Sequence, residues 1–275
     1  MTTAHPFRFA LMTAPYRDGE SWLATARRAE RLGYHALMSP DGPQLRDPML
    51  ALAMAAGATG LRVGTFVLAG PLRPAKFAAW QGHSLTALTG GRFIFGIGAG
   101  LPAFEPAVRD MGLPFGSPAE RLAAVGQAVD RLRELDGTDQ HTPVLMAAGG
   151  PRARALAASR ADIVTLGAPP LLGRDEYAAQ VEDLQARAGE RADAISLAAN
   201  VFAVGDLLPD DVAGFVGASV AELAAANSLA ILQGSVTEMC DELQRRRERF
   251  GLSFYLVHAG LADAFAPVLE RLGGR

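Results

Sequence analysis

Leu61-Arg62-Val63-Gly64-Thr65-Phe66-Val67-Leu68 is apolar at nearly every position and runs into Ala69-Gly70-Pro71. A strand with one wet face alternates apolar and polar residues, whereas an unbroken apolar run marks a strand covered on both faces. Such strands belong to parallel sheets whose helices pack outside. The flanks agree. Asp47-Pro48 ahead of the run supplies an N-cap with proline at the first helical position, and an Ala-rich helix follows to about Gly60. Behind it, a helix from Pro74 to Leu88 is broken by Thr89-Gly90-Gly91 before a fourth strand, Arg92–Ile97.

The pattern extends to both ends. Phe7–Thr13 reads as the first strand, followed by a helix through Trp22, Ala26, Ala29 and Leu32 that stops at Gly33; Tyr34–Ser39 is the second strand. After strand four comes a long connection with Gly98, Gly100, Pro102, Pro106 and Pro114, then a helix opened by the capping box Ser117-Pro118-Ala119-Glu120. Pro143–Ala148, Asp162–Gly167 and Ile195–Val204 read as strands five to seven, with helices from Pro151 and Gly173 between them. Residues 206–251 are expected to hold two helices, the second opened by Ser235-Val236-Thr237-Glu238. Ser253–Val257 is the eighth strand and Phe265–Leu272 the closing helix. This α/β order, eight strands each followed by helix, predicts one (β/α)8 TIM barrel domain over residues 1–275.

With 275 residues, 49% hydrophobic content and a net charge of -3, the chain can bury a large core and lacks the basic footprint of a nucleic-acid binder. Cys240 is the lone cysteine and reads as a buried small hydrophobe. Met1–Met12 has no apolar stretch long enough for a signal peptide or a membrane span, so a cytoplasmic location is expected, without a membrane partner.

In a barrel of this kind the chemistry lies at the C-terminal ends of the strands. Gly96-Ile97-Gly98-Ala99-Gly100 ends strand four, but Leu101 stands where a dinucleotide fingerprint needs its third glycine. Glycines there let a flat ring lie against bare backbone, and a plain turn accounts for them equally. Gly149-Gly150-Pro151-Arg152 opens a helix with free N–H groups and one guanidinium, a phosphate cradle or a turn with a surface arginine. Leu68-Ala69-Gly70 leaves strand three, where Gly70 permits strained or cis backbone near a ring system. Asp41 after strand two, Glu105 in the strand-four loop and His258 after strand eight are the acid–base candidates at this end. His35 lies at the opposite end and His83 within a helix, so both read as structural. No metal-ligand spacing and no nucleophile elbow occur.

Several stretches, in this order and spacing, resemble the luciferase-like monooxygenase superfamily, and within it the branch using the deazaflavin coenzyme F420. They are Ala29-Glu30-Arg31-Leu32-Gly33-Tyr34, Asp47-Pro48, Leu61–Leu68, Gly90-Gly91-Arg92-Phe93, Gly96–Gly100, Gly112-Leu113-Pro114-Phe115, Gly149–Arg152, Ala161-Asp162-Ile163-Val164 and Phe250–Tyr255. The resemblance implies a coenzyme ring in the barrel mouth with a strained bulge at Leu68, Ala69 and Gly70 behind it. It also implies a phosphate-bearing tail near Gly149, Gly150, Pro151 and Arg152, and contacts at Gly98, Ala99, Gly100, Leu166 and Gly167. Gly42 stands where many members carry a histidine, Gln81 where an acid is common, Arg73-Pro74 where Arg-His-Pro is usual, and Leu101 where a tryptophan often begins the loop.

The implied activity is hydride transfer between F420 and a small organic substrate, in secondary metabolism. Two alternatives stand beside it: an FMN-dependent monooxygenase with a partner reductase, and a barrel that has lost redox chemistry and serves as a binding protein or non-redox catalyst. A homodimer is left open.

Overall fold

The computed structural model describes residues 5–275. Eight parallel strands form a closed ring: β1 Arg8–Met12, β2 Ala36–Ser39, β3 Arg62–Thr65, β4 Phe93–Gly98, β5 Val144–Ala148, β6 Ile163–Leu166, β7 Ser196–Val201 and β8 Leu252–His258. Each pairs with the next, Val63 meeting Phe93 across β3 and β4, and β8 returns to β1 with Arg8 opposite Phe254 and Met12 opposite His258. The chain therefore forms a (β/α)8 barrel, as the apolar runs predict.

Alternation along each strand separates two cores. Ala10, Ala36, Met38, Ile94, Leu145, Ile163, Ala198, Phe254 and Leu256 fill the barrel interior. Phe9, Leu11, Leu37, Val63, Phe95, Val144, Leu197, Tyr255 and Val257 face outward into the shell of helices. Aliphatic and aromatic burial on both strand faces, worth about 1.5–3 kcal/mol for each large side chain, explains why the strands read as continuous hydrophobic runs.

The outer layer is α1 Gly19–Arg31, α2 Pro48–Ala58, α3 Ala75–Leu88, α4 Glu105–Asp110, α5 Pro118–Asp136, α6 Pro151–Arg160, α7 Arg174–Ala188, α8 Asp210–Val216, α9 Val220–Ala225, α10 Val236–Phe250 and α11 Ala262–Leu272. Both capping boxes are formed, Ser117 with Glu120 and Ser235 with Glu238, and Asp47 accepts from the N–H groups of Met49 and Leu50. Gly33 ends α1 in the left-handed region at φ 85.

Three features depart from the expectation. Strand three is not continuous to Leu68: it stops at Thr65, the Phe66–Val67 peptide is cis, and the chain resumes as a two-residue strand, Leu68–Ala69, on Ile97 and Gly98. Thr65 Oγ1 spans the gap by donating to Gly96 O at 2.7 Å and accepting from Gly96 N–H at 2.9 Å. A Cβ on Gly96 would lie 1.8 Å from Thr65 O, so close strand approach accounts for that glycine. The strand-four connection contains α4, and residues 206–251 hold three helices where two were expected. Between β7 and α10, Phe202, Val212, Val216, Leu223 and Ile231 form a separate small apolar cluster reaching Met12. Short helices built on their own cluster carry little periodic signal.

At the N-terminal end, the His35 ring stands edge-on to Phe254 with centroids 6.2 Å apart. Burial, then the Arg8 and Arg62 guanidiniums, push this imidazole down to about 4. Below pH 6.5 the unfolded chain takes up a proton that the folded ring refuses until about pH 4, so stability is full above that window and falls within it. Tm is therefore expected to drop less between pH 7 and about pH 4.5 in His35→Asn than in the parent; an equal drop would remove His35 from the acid sensitivity.

Candidate functional site

Strand parity places the mouth. Continuing the inward set by two residues along β1, β5, β6, β7 and β8, and by four along β4, brings Met12, Ala147, Thr165, Asn200, His258 and Gly98 to the C-terminal rim. Three of these six, Thr165, Asn200 and His258, carry polar side chains among apolar neighbours.

His258 is 4% exposed at the end of β8. Its Nδ1 accepts from Gly260 N–H at 3.3 Å, which leaves the ring proton on Nε2, 3.4 Å from Asp211 Oδ2. Burial lowers this imidazole below its ordinary value, and the Asp211 carboxylate opposes that shift. Asp211 lies in the first turn of α8, and Pro209 just before it packs on Gly260, where a Cβ would approach to 2.8 Å. The β7–α10 excursion is thus docked on the mouth by Pro209 on Gly260, by its apolar cluster on Met12 and by Asp211 on His258. Burial, then Asp211, raise the Tyr16 phenol.

Asp41, expected as an acid–base group, accepts from Ala69 N–H at 2.9 Å and from Arg73 Nη1, and its side chain is 4% exposed. Arg73 also donates to Asp47 Oδ2 at 3.1 Å, so one guanidinium joins the end of β2, the strand-three extension and the cap of α2. Glu105 is not in a free loop: it opens α4 and accepts from Arg109 at 2.7 and 2.9 Å on the surface. An i,i+4 pair of this kind is worth about 0.3–0.5 kcal/mol and leaves the carboxylate outside the mouth.

The expected cofactor-binding positions divide. Leu68 and Leu166 point into the outer shell of the barrel. The backbone irregularity lies at Phe66–Val67 rather than at Gly70, which has no left-handed φ and whose Cβ would meet Gly98 O at 3.1 Å. Ala69 N–H donates to Asp41, and Ala99 O accepts from Arg121. Gly98 faces inward, with space for a Cβ limited by Val67 at 3.0 Å; Gly100 takes φ 72 against Pro71. Gly149 and Gly167 touch, since a Cβ on Gly167 would come 2.5 Å from Gly149 Cα, so the ends of β5 and β6 meet backbone to backbone. Next to them, Gly150 caps α6 without a side-chain bond, Pro151 follows at its first position, and no acidic residue lies in the first turn. Arg152 is exposed in that turn, and a Cβ on Gly150 would meet nothing within 4 Å. That donor set of open N–H groups and one guanidinium fits an anionic group.

Asn200 has no place among the sequence-derived candidates. Its Oδ1 is buried without a partner beside a cavity of about 50 Å³ between Thr165, Ala198, Ser228 and Leu229. The signal was available: within Ser196–Val201 it is the polar residue on the inward set beyond Ala198. A second, larger pocket of about 330 Å³ adjoins the strand-three extension, lined by Gly70, Pro71, Leu113, Pro114, Phe115 and Arg121. Among the described residues no cluster of three His, Cys, Asp or Glu could hold a metal ion, and no helix is long and apolar enough to cross a membrane.

A closed parallel barrel whose mouth holds one oriented histidine beside a helix terminus open to an anion defines the class. The chain belongs to the luciferase-like monooxygenase family, whose model matches residues 1–212. An uncharacterised protein of Mycobacterium tuberculosis is 28% identical over 147 residues, a match covering 44% of this chain and 49% of that protein. The chain spans about half the length of the curated relatives it matches. An F420-dependent secondary alcohol dehydrogenase, solved with an F420–acetone adduct, shares the fold at TM-score 0.74 and 15% identity, over 97% of this chain and 98% of that one. The oxygenating constituent of 3,6-diketocamphane monooxygenase from Pseudomonas putida, solved with FMN, is similar at TM-score 0.66 and 15% identity, over 96% and 95%.

Proposed function

We propose that this protein is an oxidoreductase that transfers a hydride between F420 and a small, largely apolar organic substrate. The observation that carries the reading is the terminus of α6, where Gly150, Pro151 and Arg152 present open N–H groups and a free guanidinium at the mouth. These residues would hold the phosphate-bearing tail, with Gly98 giving the ring a face without a side chain. When bound, the deazaflavin supplies the hydride donor or acceptor. The protein's own part is to hold a proton at His258 Nε2, shared with Asp211. The pocket beside Gly70 and Phe115 suits an apolar substrate. The FMN-dependent monooxygenase reading draws on the FMN-bound neighbour of the same fold.

Arg152→Ala is expected to weaken coenzyme binding by about 1–3 kcal/mol, the scale of one charge-assisted contact, with the apo Tm unchanged. Fluorescence titration measures this. An unaltered dissociation constant would take Arg152 out of the site and remove the main support for this reading.

A further inference from the structure

We infer that the N-terminal end of the barrel, opposite the mouth, binds a small divalent oxyanion between Arg8, Arg62 and His35. Arg8 is the first inward residue of β1. Its Nη2 donates to Ser196 Oγ at 2.6 Å, its Cζ lies 5.2 Å from the centre of the Phe254 ring, and its Nε is buried with no partner. His35 meets the same Phe254 ring edge-on. Arg62 is level in the sheet with Ala36, the residue after His35, and its Nη1 is held by Gly91 O at 3.1 Å. Burial, then Arg62, lower the Arg8 guanidinium below its ordinary value.

Among the described residues, none of the three enters an ion pair within 4.0 Å. Residues 1–4, Met-Thr-Thr-Ala, contain no acidic side chain. Half-buried cations are ordinarily paired, because an unpaired one keeps its desolvation cost. Here two guanidiniums repel one another and both suppress the charge on the His35 imidazole. An oxyanion supplies the missing countercharge, and a guanidinium, which only donates hydrogen bonds, is suited to bind it. Two cations call for a divalent ion. The site is separate from the α6 terminus, so its predicted effect is on stability.

The probe is inorganic phosphate at a few millimolar, against sodium chloride of equal ionic strength, with calorimetric titration and Tm read on the parent, Arg8→Met, Arg62→Gln and Arg152→Ala. A ligand at about 100 times its Kd raises the Tm of a chain this long by several degrees. That rise is expected in the parent and in Arg152→Ala and is expected to vanish in Arg8→Met and Arg62→Gln. Without phosphate, Arg8→Met is expected to melt no lower than the parent, since it removes an unpaired cation. A rise that persists in both floor variants, one that is lost in Arg152→Ala, an equal rise with chloride, or no rise in the parent would each overturn the inference. If Arg8→Met does not fold, the Arg62→Gln result decides alone.

Discussion

Single-turnover hydride transfer by His258→Ala is expected to run about 10²–10⁴-fold slower than the parent, with coenzyme affinity unchanged. His258 ends β8 on the inward face, and both its ring nitrogens are engaged: Gly260 N–H at Nδ1 and Asp211 at Nε2. That arrangement requires a neutral ring. Burial lowers the imidazole below its ordinary value, which keeps it neutral at pH 7. Protonation would place a second proton on Nδ1, break the bond from Gly260 and release the orientation. The rate should therefore be flat above pH 6.5 and fall as pH drops through the lowered pKa. Asp211→Asn removes the carboxylate that raises this pKa, so its acid limb should move to lower pH, with a smaller rate loss than His258→Ala. Glu105→Gln, on a surface ion pair with Arg109, should leave the rate within about twofold. A parent rate in His258→Ala, or an acid limb unmoved by Asp211→Asn, would remove the pair from the proton path.

Arg73→Met is expected to cost about 3–5 kcal/mol of unfolding free energy, the scale of leaving one buried charge unpaired. Its partner Asp41 is 4% exposed and would keep only the Ala69 N–H. Asp41→Asn, which keeps an acceptor and leaves the Arg73 guanidinium paired with Asp47, should cost less. Urea unfolding with an unchanged m-value measures both. The same contacts fix Leu68–Ala69 against β4, so Arg73→Met should also weaken coenzyme binding if the strand-three extension backs the ring. A stability loss under about 1 kcal/mol would mean that the Asp41–Arg73 pair does not hold this rim together.

Elements whose cause is local were legible in the sequence. Asp47-Pro48, Ser117–Glu120 and Ser235–Glu238 announce helix starts through bonds made within four residues. Strands buried on two faces announce themselves as apolar runs, and Leu61–Leu68 is the clearest. The break after Thr65 leaves no mark in the sequence, because Phe66, Val67 and Leu68 are as apolar as a continuing strand. What redirects the chain there is Thr65 bonding Gly96, across a sequence separation of 31.

The candidate site follows the same division. Glycines at strand ends were visible, but Gly149 and Gly167 owe their identity in part to each other, a contact between two strands. Asp41 and Glu105 lie after strands two and four as expected, yet their partners Arg73 and Arg109 determine what their carboxylates do. Asp211 carried no signal at all: it sits 47 residues before His258 and meets it through the docking of the α8 segment on the mouth, where Pro209 lies against Gly260.

Titration of the purified protein with oxidised F420 and, separately, with FMN, followed by fluorescence, tests the deazaflavin reading most directly. Saturable binding of F420, weakened about tenfold or more in Arg152→Ala, with FMN binding much weaker, is the predicted result. Preferential binding of FMN, or saturable binding of neither coenzyme, would contradict it.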